Sequence, residues 1–509
     1  MRFCSRKVGL PVFIMFVILL TGCLHSQEEV NRDETEQKNE EEQLQEKKSV
    51  SMDIHIPRWL EADHTPVFDN QGLRYRDYSN VMHAISIAGG ISRDSEMGHD
   101  HYRPELAQEV MAQQARLWLD LLGEVKESFL LEGSLIPYVM ETKEGWKVQG
   151  EPDLADYSHG VYAYHMHHRA ERWEEHGLFE SIIHEPTDYI TSFGRFLLDS
   201  RYEDGKFYHD SRLQSFDTES MSHGLAGIHG HAYAWVRWAK PGGADDMGRL
   251  DKSQLAGWLG YDPKDLVQVA REVKEVLDES WDEDLAIYDF GDGTEYSLDT
   301  LGSLIRGQKA LYEILYVYGD EQGKEEGRVL FERTASILDG VLESGEVMKP
   351  WGIPSHIDFT EEGVKVASDT VDTEQLWEFV NHVSGGFAFT REREGTSMFL
   401  NEHRPDLQTS LGSLTDQMLK GALHYQLEDD YLASELDFET GDITDSRRSA
   451  SAIGLFVTAA GNAYQLGDAF EQASDWEEHD SEVVERSRQL YDVIVQHAEL
   501  LENEFVIRE

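Results

Sequence analysis

A pair of helical patterns recurs along the chain from about Asp53 onward, at intervals of roughly 60 to 80 residues. One member of each pair is apolar and rich in small and aromatic residues, which is typical of a helix buried on all sides. These members run near Tyr75–Gly89, Tyr157–Trp173, Thr218–Trp238, Asp299–Tyr318, Asp372–Phe389 and Ser446–Leu466. The amphipathic members run near Pro104–Leu122, Glu185–Leu198, Pro263–Ser280, Gly327–Leu342, Pro405–Leu427 and Ser481–Glu504. Six such pairs predict an all-α toroid, in which an outer ring of amphipathic helices surrounds an inner ring of buried ones.

Short stretches of alternating polarity, flanked by glycine, lie between each amphipathic helix and the next buried one. Examples are Gly133–Gln149, Gly205–Phe216, Trp281–Tyr296 and Gly345–Phe359. Paired pieces such as Tyr138–Glu141 and Trp146–Gln149 predict β-hairpins. All of these hairpins precede the N-termini of the inner helices, so we expect them to form the walls of a cleft at that end of the ring.

The loop Tyr202-Glu203-Asp204-Gly205-Lys206-Phe207 and the six helical hairpins together resemble the six-hairpin glycosidase-like superfamily of (α/α)6 barrels. The resemblance covers about residues 70 to 505 and concerns architecture, because no family-specific catalytic signature matches. It implies carbohydrate chemistry in a cleft at the N-termini of the inner helices. Hydrolysis, β-elimination and epimerisation all occur on this fold, and the resemblance does not choose among them.

Acidic residues open several of the inner helices. The third helix begins with Asp217, Glu219 and His223, the fourth with Asp299, and the fifth with Asp372 and Glu374. Glycosidic hydrolysis needs one carboxylic acid to protonate the leaving oxygen and one carboxylate to activate water or to attack. Carboxylates from separate inner helices can face one another across the ring, so we expect the reacting groups among these six residues. The alternative for each Asp is an ordinary helix N-cap.

Histidines recur with the same spacing in two inner helices. Ser158-His159-Gly160 precedes His165 and His167, and Ser222-His223-Gly224 precedes His229 and His231. Offsets of six and eight residues point about 160° apart on a helix, which argues against a shared metal ion. We expect His159 and His223, near the cleft floor, to bind substrate or move a proton. The alternative is a buried histidine whose nitrogens are satisfied by its neighbours.

Aromatic residues near the same openings are candidates for stacking on sugar rings. They are Tyr78, Tyr157, Tyr296, Trp351 and Trp377. At the sixth opening, Arg447 is placed to neutralise an acidic sugar. We expect no cofactor and no metal, the alternative being calcium held by the loop Asp289–Glu295, which gathers carboxylates around glycines but lacks EF-hand spacing.

The N-terminus has the layout of a secretory signal, with Arg2, Arg6 and Lys7 before an apolar run from Val8 to Leu20. The sequence Leu20-Thr21-Gly22-Cys23 resembles the bacterial lipobox, in which the cysteine thiol is acylated. We therefore expect a signal peptide over residues 1–22, a lipidated Cys23 and an acidic linker over residues 23–52. A single domain would follow over residues 53–509, anchored by the lipid on the extracytoplasmic face of the membrane.

The chain carries 98 acidic and 45 basic residues and a formal net charge of −53. Such a surface repels phosphate, which excludes a general nucleic-acid binder. The expected partners are therefore carbohydrate and, through the lipid, the membrane. The sequence indicates no oligomeric state.

The leading functional hypothesis is a surface-anchored glycoside hydrolase. Its reacting set would be Asp217, Glu219 and His223 with Asp372 and Glu374, and with Asp299 as a further carboxylate. A polysaccharide lyase or a sugar epimerase is one alternative. A lipoprotein that binds a glycan or a protein without catalysis is another.

Overall fold

A computed structural model describes residues 201–233, 263–383, 404–471 and 481–505 of the chain, together with short segments between 54 and 88, at 138–142, 145–150, 154–155 and 197–199, and at 507–508. The helices with defined bounds are α1 (Thr218–Tyr233), α2 (Pro263–Ser280), α3 (Leu298–Tyr318), α4 (Glu321–Glu343), α5 (Thr373–Val380), α6 (Pro405–Gly421), α7 (Ala450–Glu471) and α8 (Ser481–Leu500). Two π-helical turns, Ala422–Gln426 and Leu501–Phe505, extend α6 and α8. Further helical residues between 76 and 88 precede α1 and are called here the first inner segment.

The strands are short and pair antiparallel. The two-stranded pairs are Ile54–His55 with Ile507–Arg508, Tyr202–Glu203 with Lys206–Phe207, Trp281–Asp282 with Ile287–Tyr288, and Leu427–Glu428 with Tyr431–Leu432. In the three-stranded sheets, the central strand Trp59–Leu60 pairs with Pro66–Val67 and Arg448–Ser449, and Tyr138–Thr142 pairs with Gly72–Leu73 and Gly145–Gly150. Likewise His356–Thr360 pairs with Glu295–Ser297 and Gly363–Val366, and Glu435–Asp437 pairs with Thr370–Asp372 and Ile443–Asp445. Several of these pairs lie between an outer helix and the next inner helix, as the alternating stretches predict.

Burial separates the two kinds of helix. Every residue of α3 from Thr300 to Leu315 is buried, whereas α4 buries one face that includes Leu330, Ile337 and Val341. An outer helix such as α2 likewise buries Leu266, Val273 and Leu277 on a single face. The composition of each pattern therefore determines whether the helix lies in the inner or the outer ring.

The inner helices follow one another around a ring, in the order α1, α3, α5 and α7. Outer helices α2 and α4 pack against α3, α6 packs against α4 and α7, and α8 packs against α7. The first inner segment completes the ring beside α7, because the Asn80 amide donates to the Ser451 hydroxyl at 2.7 Å. The predicted (α/α)6 toroid is confirmed.

Two helix boundaries differ from the prediction. The outer helix expected from Gly327 begins at Glu321, because the side chain of Asp320 accepts the Gly323 amide and caps it. The sixth inner helix, expected from Ser446, begins at Ala450 because Ile443–Asp445 pairs with Glu435–Asp437 as a strand. The helices predicted at Pro104–Leu122 and Tyr157–Trp173 lie outside the described residues.

None of the described helices is long and apolar enough to cross a membrane. The predicted signal peptide, Cys23 and the linker up to residue 52 lie outside the described residues.

Candidate active site

Arg76 of the first inner segment joins carboxylates from two other inner helices. Its guanidinium lies 2.8 Å from Glu374 Oε1 and 3.6 Å from Glu378 Oε2, both on α5, and 3.9 Å from Asp299 Oδ2 on α3. In the ring, α7 lies between the first inner segment and α5. The Arg76 side chain therefore extends past α7 to the carboxylates of α5 and α3. These four residues, with Asp372, are called here the central cluster, and they lie at the mouth of the toroid, the end at which the inner helices begin.

Glu374 is fixed at both of its oxygens. Oε1 accepts from Arg76 at 2.8 Å, and Oε2 accepts from the Ser449 hydroxyl, just before α7, at 3.0 Å. The side chain is only 7% exposed. A carboxylate with a cation and a hydroxyl donor in place is stabilised in its ionised form and in one orientation. Glu374 thus contributes a fixed negative charge to the mouth.

Asp372 caps the N-terminus of α5, because its Oδ1 accepts the backbone amide of Gln375 at 3.0 Å. Burial, together with the negative charges of Glu374 and Asp299, raises the pKa of its carboxyl from 3.8 to about 6. The hydrogen bonds from the backbone oppose this rise but do not cancel it. Asp372 therefore holds its proton at mildly acidic pH, as a general acid must.

Asp299 is the least constrained carboxylate of the central cluster. Its Oδ1 accepts from the Ser297 hydroxyl at 2.6 Å, while its Oδ2 is 3.9 Å from the Arg76 guanidinium and its side chain is 16% exposed. A protonated acid and a second, partly exposed carboxyl group on the neighbouring inner helix are the kinds of group that acid–base cleavage of a glycosidic bond requires.

Further charged side chains are buried beneath Asp299 and Glu374. Glu378 is 1% exposed, and Arg306 on α3 is buried close enough for Glu378 to act on its guanidinium. Burial holds the pKa of Arg306 well below its usual range, and the negative charge of Glu378 opposes that effect. The Arg306 guanidinium lies 3.1 Å from Nε2 of His382, which must accept because arginine can only donate. Arg306 is thus a buried neighbour of opposite charge for Glu378.

The carboxylates predicted on the third inner helix do not join the central cluster. Asp217 caps α1 through the Ser220 amide and lies 2.8 Å from Nε2 of His209. The side chain of Glu219 is 58% exposed, and its Oε1 lies 4.0 Å from Nε2 of His223. His223 is buried, with Nδ1 3.1 Å from the Ser303 hydroxyl. The structure thus divides the predicted reacting set into two groups, and His223 has the packing role that we considered as the alternative.

The predicted sugar-stacking residues have different environments. Trp377 is fully buried, donates from its indole to Gln426 and packs against Phe456, so it has no open face. Tyr296 is also buried, and its hydroxyl donates to the Tyr288 carbonyl. For both residues the expected stacking is wrong, because each ring belongs to the core.

Two further predicted binding residues are partly exposed. Trp351 donates to the Phe438 carbonyl at 2.8 Å and lies edge-on to Tyr425. Arg447 is held by Asp445, with the shortest contact at 2.6 Å, and its guanidinium lies 4.9 Å from the centre of the Trp59 ring. That ion pair reduces the positive charge that Arg447 could offer to an acidic sugar. Tyr78, Tyr157 and His159 lie outside the described residues.

The loop considered for calcium uses its carboxylates within the protein. Oδ1 of Asp289 accepts the amides of Gly291 and Gly293, and Asp292 accepts both the amide and the hydroxyl of Thr218 at the start of α1. Among the described residues, no group of three or more His, Cys, Asp or Glu side chains is placed to hold a metal ion.

Sequence reasoning missed Arg76, Glu378 and Arg306. The available signal was a charge inside a helix whose composition predicts complete burial. A buried charge requires a partner, so an arginine and a glutamate on two such helices indicate a pair that meets inside the ring.

No family model matches the sequence, and no curated protein matches it either. Solved structures similar to this chain include cellobiose 2-epimerase from Bacillus thermoamylovorans, with 11% identity over 85% of this chain and 99% of that one and a TM-score of 0.49. They also include a sugar epimerase from a ruminal bacterium (10% identity, 82% and 94% covered, TM-score 0.46) and α-1,2-mannosidase from Trichoderma reesei (10%, 79% and 78%, 0.44). At this similarity the likeness concerns the backbone alone, and the chemistry of the site must be read from the residues of this chain.

Proposed function

We propose that this chain is a glycan-acting enzyme that hydrolyses a glycosidic bond at the central cluster. The observation that carries the proposal is that Arg76 joins Glu374 and Asp299, from two inner helices, at the mouth of the toroid, close enough to Asp372 for both charges to raise its pKa. Carboxylates held in different environments can take the two roles that hydrolysis needs.

The roles follow from the environment of each carboxyl group. Asp372, whose pKa is about 6, donates its proton to the leaving glycosidic oxygen. Asp299, partly exposed and 3.9 Å from the Arg76 guanidinium, activates the water or attacks the sugar. Glu374 is held by Arg76 and Ser449, and its charge keeps the proton on Asp372. Glu374 is therefore a positioning residue.

The test is an assay of the full chain against a panel of neutral and acidic oligosaccharides, with new reducing ends as the readout. For a cleaved substrate, Asp372→Asn and Asp299→Asn should each lower kcat by about 10²–10⁴-fold. The matched control is Asp320→Asn, because Asp320 is also an N-cap but lies on an outer helix at the opposite end of the toroid. In the wild type, kcat/KM should fall as the pH rises through about 6, because Asp372 then loses the proton that it must donate.

Other outcomes would replace this proposal with an alternative. An unsaturated product would indicate a lyase, and a changed sugar configuration without cleavage would indicate an epimerase. Tight binding of an oligosaccharide without turnover would favour a binding lipoprotein.

We also propose that the enzyme is anchored through Cys23 on the extracytoplasmic face of the membrane. The lipobox-like residues Leu20-Thr21-Gly22-Cys23 support this placement. Cys23→Ser should move the activity from the membrane fraction to the soluble fraction.

A further inference from the structure

His209 and Asp217 form a pair at the mouth that the hydrolysis proposed above does not use. Nε2 of His209 lies 2.8 Å from Oδ1 of Asp217, and the two side chains are 28% and 36% exposed. Asp217 belongs to the N-terminus of α1, which packs against α3, the helix that carries Asp299. The pair therefore lies at the same end of the ring as the central cluster, beside the next inner helix.

The protonation of the pair follows from its contacts. Burial favours the neutral acid, but the Ser220 amide and the contacts with His209 hold the pKa of Asp217 below its usual value. An ionised carboxylate can only accept, so Nε2 of His209 must carry the proton. The other ring nitrogen, Nδ1, makes no hydrogen bond to any described residue, so it is left for a further partner.

The loop that carries His209 is fixed from several sides. The backbone of His209 donates to the Ser215 carbonyl at 3.0 Å and accepts from the guanidinium of the fully buried Arg201. The Asp210 carboxylate accepts the amides of Arg212 and Ser215 and closes the loop. A partly exposed imidazole on so constrained a backbone is preorganised, which is what a binding residue needs.

A half-buried aromatic residue directly precedes each member of the pair in the sequence. Tyr208 precedes His209 and Phe216 precedes Asp217, with ring centres 5.9 Å apart, and Phe290 lies 6.1 Å beyond Phe216. Aromatic faces and a few fixed polar groups are the combination that suits a sugar ring, because its C–H faces are apolar and its hydroxyls are not.

Capping of α1 does not account for the histidine. The Asp217 carboxylate caps through the Ser220 amide, and Asp292 separately binds the Thr218 amide at 3.0 Å. Helix α1 is thus capped from two sides without an imidazole. We propose that His209, oriented by Asp217 and close to the rings of Tyr208 and Phe216, forms a sugar-binding subsite in which Nδ1 makes a hydrogen bond with a glycan hydroxyl. The inference rests on the proposed function for the identity of the ligand as a glycan.

The test measures binding of cellopentaose, mannopentaose and chitopentaose by calorimetry, with the full chain carrying Asp372→Asn to prevent turnover. In that background, His209→Gln should weaken binding of the recognised pentaose by about tenfold, the loss expected for one well-placed hydrogen bond. Asp217→Ser should also weaken binding, because serine keeps an N-cap while its shorter side chain no longer reaches Nε2 of His209. Asp320→Asn, an N-cap change at the far end of the toroid, should leave the Kd unchanged.

The outcomes separate this subsite from the proposed reaction. If the wild type cleaves a substrate and His209→Gln leaves KM unchanged, the subsite is wrong and the reaction stands. If a pentaose binds, weakens on His209→Gln and is never cleaved by the wild type, the subsite stands and the hydrolysis is wrong. Absence of binding for all three pentaoses would overturn the subsite. Thermal unfolding should show every variant fully folded at the temperature of the binding measurement, which excludes a simple loss of structure.

Discussion

Two inner helices begin with the same three residues and yet place them in opposite environments. Asp217-Thr218-Glu219 opens α1, and Asp372-Thr373-Glu374 opens α5. The pKa of Asp217 is lowered and that of Asp372 is raised, while Glu219 is 58% exposed and Glu374 only 7%. The sequence predicts both openings as candidates but cannot rank them, because the difference comes from residues distant in the chain.

Arg76 and Ser449, which hold Glu374, are distant from it in the chain, whereas His209 lies only 8 positions from Asp217. Sequence patterns identify helix starts because capping is local, within about four residues. An ion pair such as Arg76 with Glu374 spans 298 positions and depends on how the ring closes. The carboxylates of the site could therefore be predicted from the sequence, but the burial that raises the pKa of Asp372 and the partners that fix Glu374 could not.

The raised pKa of Asp372 gives a prediction for stability. In the folded protein its carboxyl titrates near 6 rather than near 3.8, so between these values the native state binds the additional proton. Stability must then decrease as the pH rises through this window. Asp372→Asn keeps the cap without the charge, so the unfolding free energy of the variant relative to wild type should rise by up to about 3 kcal/mol between pH 4 and pH 7. Chemical denaturation at a series of pH values measures the difference.

Asp320→Asn supplies the contrast, since a backbone amide and Arg271 lower the pKa of Asp320. The carboxylate of Asp320 stabilises the fold above its unfolded pKa of 3.8, and that contribution is lost only at lower pH, so the stability of this variant relative to wild type should hardly change between pH 4 and pH 7. Parallel pH profiles for the two variants would contradict the assignment of the raised pKa to Asp372.

At the scale of the element, glycine allows the inner helices to approach closely. A Cβ at Gly307 of α3 would lie 2.3 Å from Cβ of Leu225 on α1, and one at Gly454 of α7 would lie 2.6 Å from the Asn80 backbone. Real Cβ atoms do not make such contacts, so the helix axes are as close as they are because these positions lack a side chain. The abundance of small residues in the inner patterns predicted this close packing, although not which glycines make the contacts.

The prediction for these elements compares three identical substitutions. Gly307→Ala and Gly454→Ala should each lower the unfolding free energy by about 2 kcal/mol or more, because backbone atoms must move to admit the methyl group. Gly412→Ala on outer helix α6 should instead raise it by about 0.5–1 kcal/mol, since open space surrounds that position and alanine favours the helix. Thermal and urea unfolding measure all three, and equal effects at the three positions would contradict the packing described for the inner ring.

At the scale of the whole molecule, the chain closes its ring with residues from both ends. Ile54–His55 pairs with Ile507–Arg508, and Trp59–Leu60 pairs with Arg448–Ser449 just before α7. The Arg58 carbonyl accepts the Ala450 amide, which is the first of α7, at 3.0 Å. The helical patterns predicted a toroid from composition alone. They gave no indication that the strand pairs near residue 55 would complete it, because two-residue strands have no detectable period.

Closure by these strands predicts how the chain responds to shortening from the N-terminus. A chain that begins at residue 53 keeps both strand pairs and should unfold like the full-length protein, since residues 23–52 are predicted to be a linker. A chain that begins at residue 61 loses Leu60, which is fully buried, and leaves the first amide of α7 without the Arg58 carbonyl. Its unfolding free energy should fall by at least about 3 kcal/mol, from the buried leucine and the lost hydrogen bonds.

Urea unfolding of the two shortened chains provides the comparison, with the chain that begins at residue 53 as the reference. The loss should extend to the site, because the same strands hold Ser449, whose hydroxyl donates to Glu374. Binding of an oligosaccharide to the chain that begins at residue 61 should therefore weaken even at a temperature where it is folded. Equal stability and equal binding of the two chains would mean that the ring is held closed by its helices alone, and that the strand pairs have no part in positioning the central cluster.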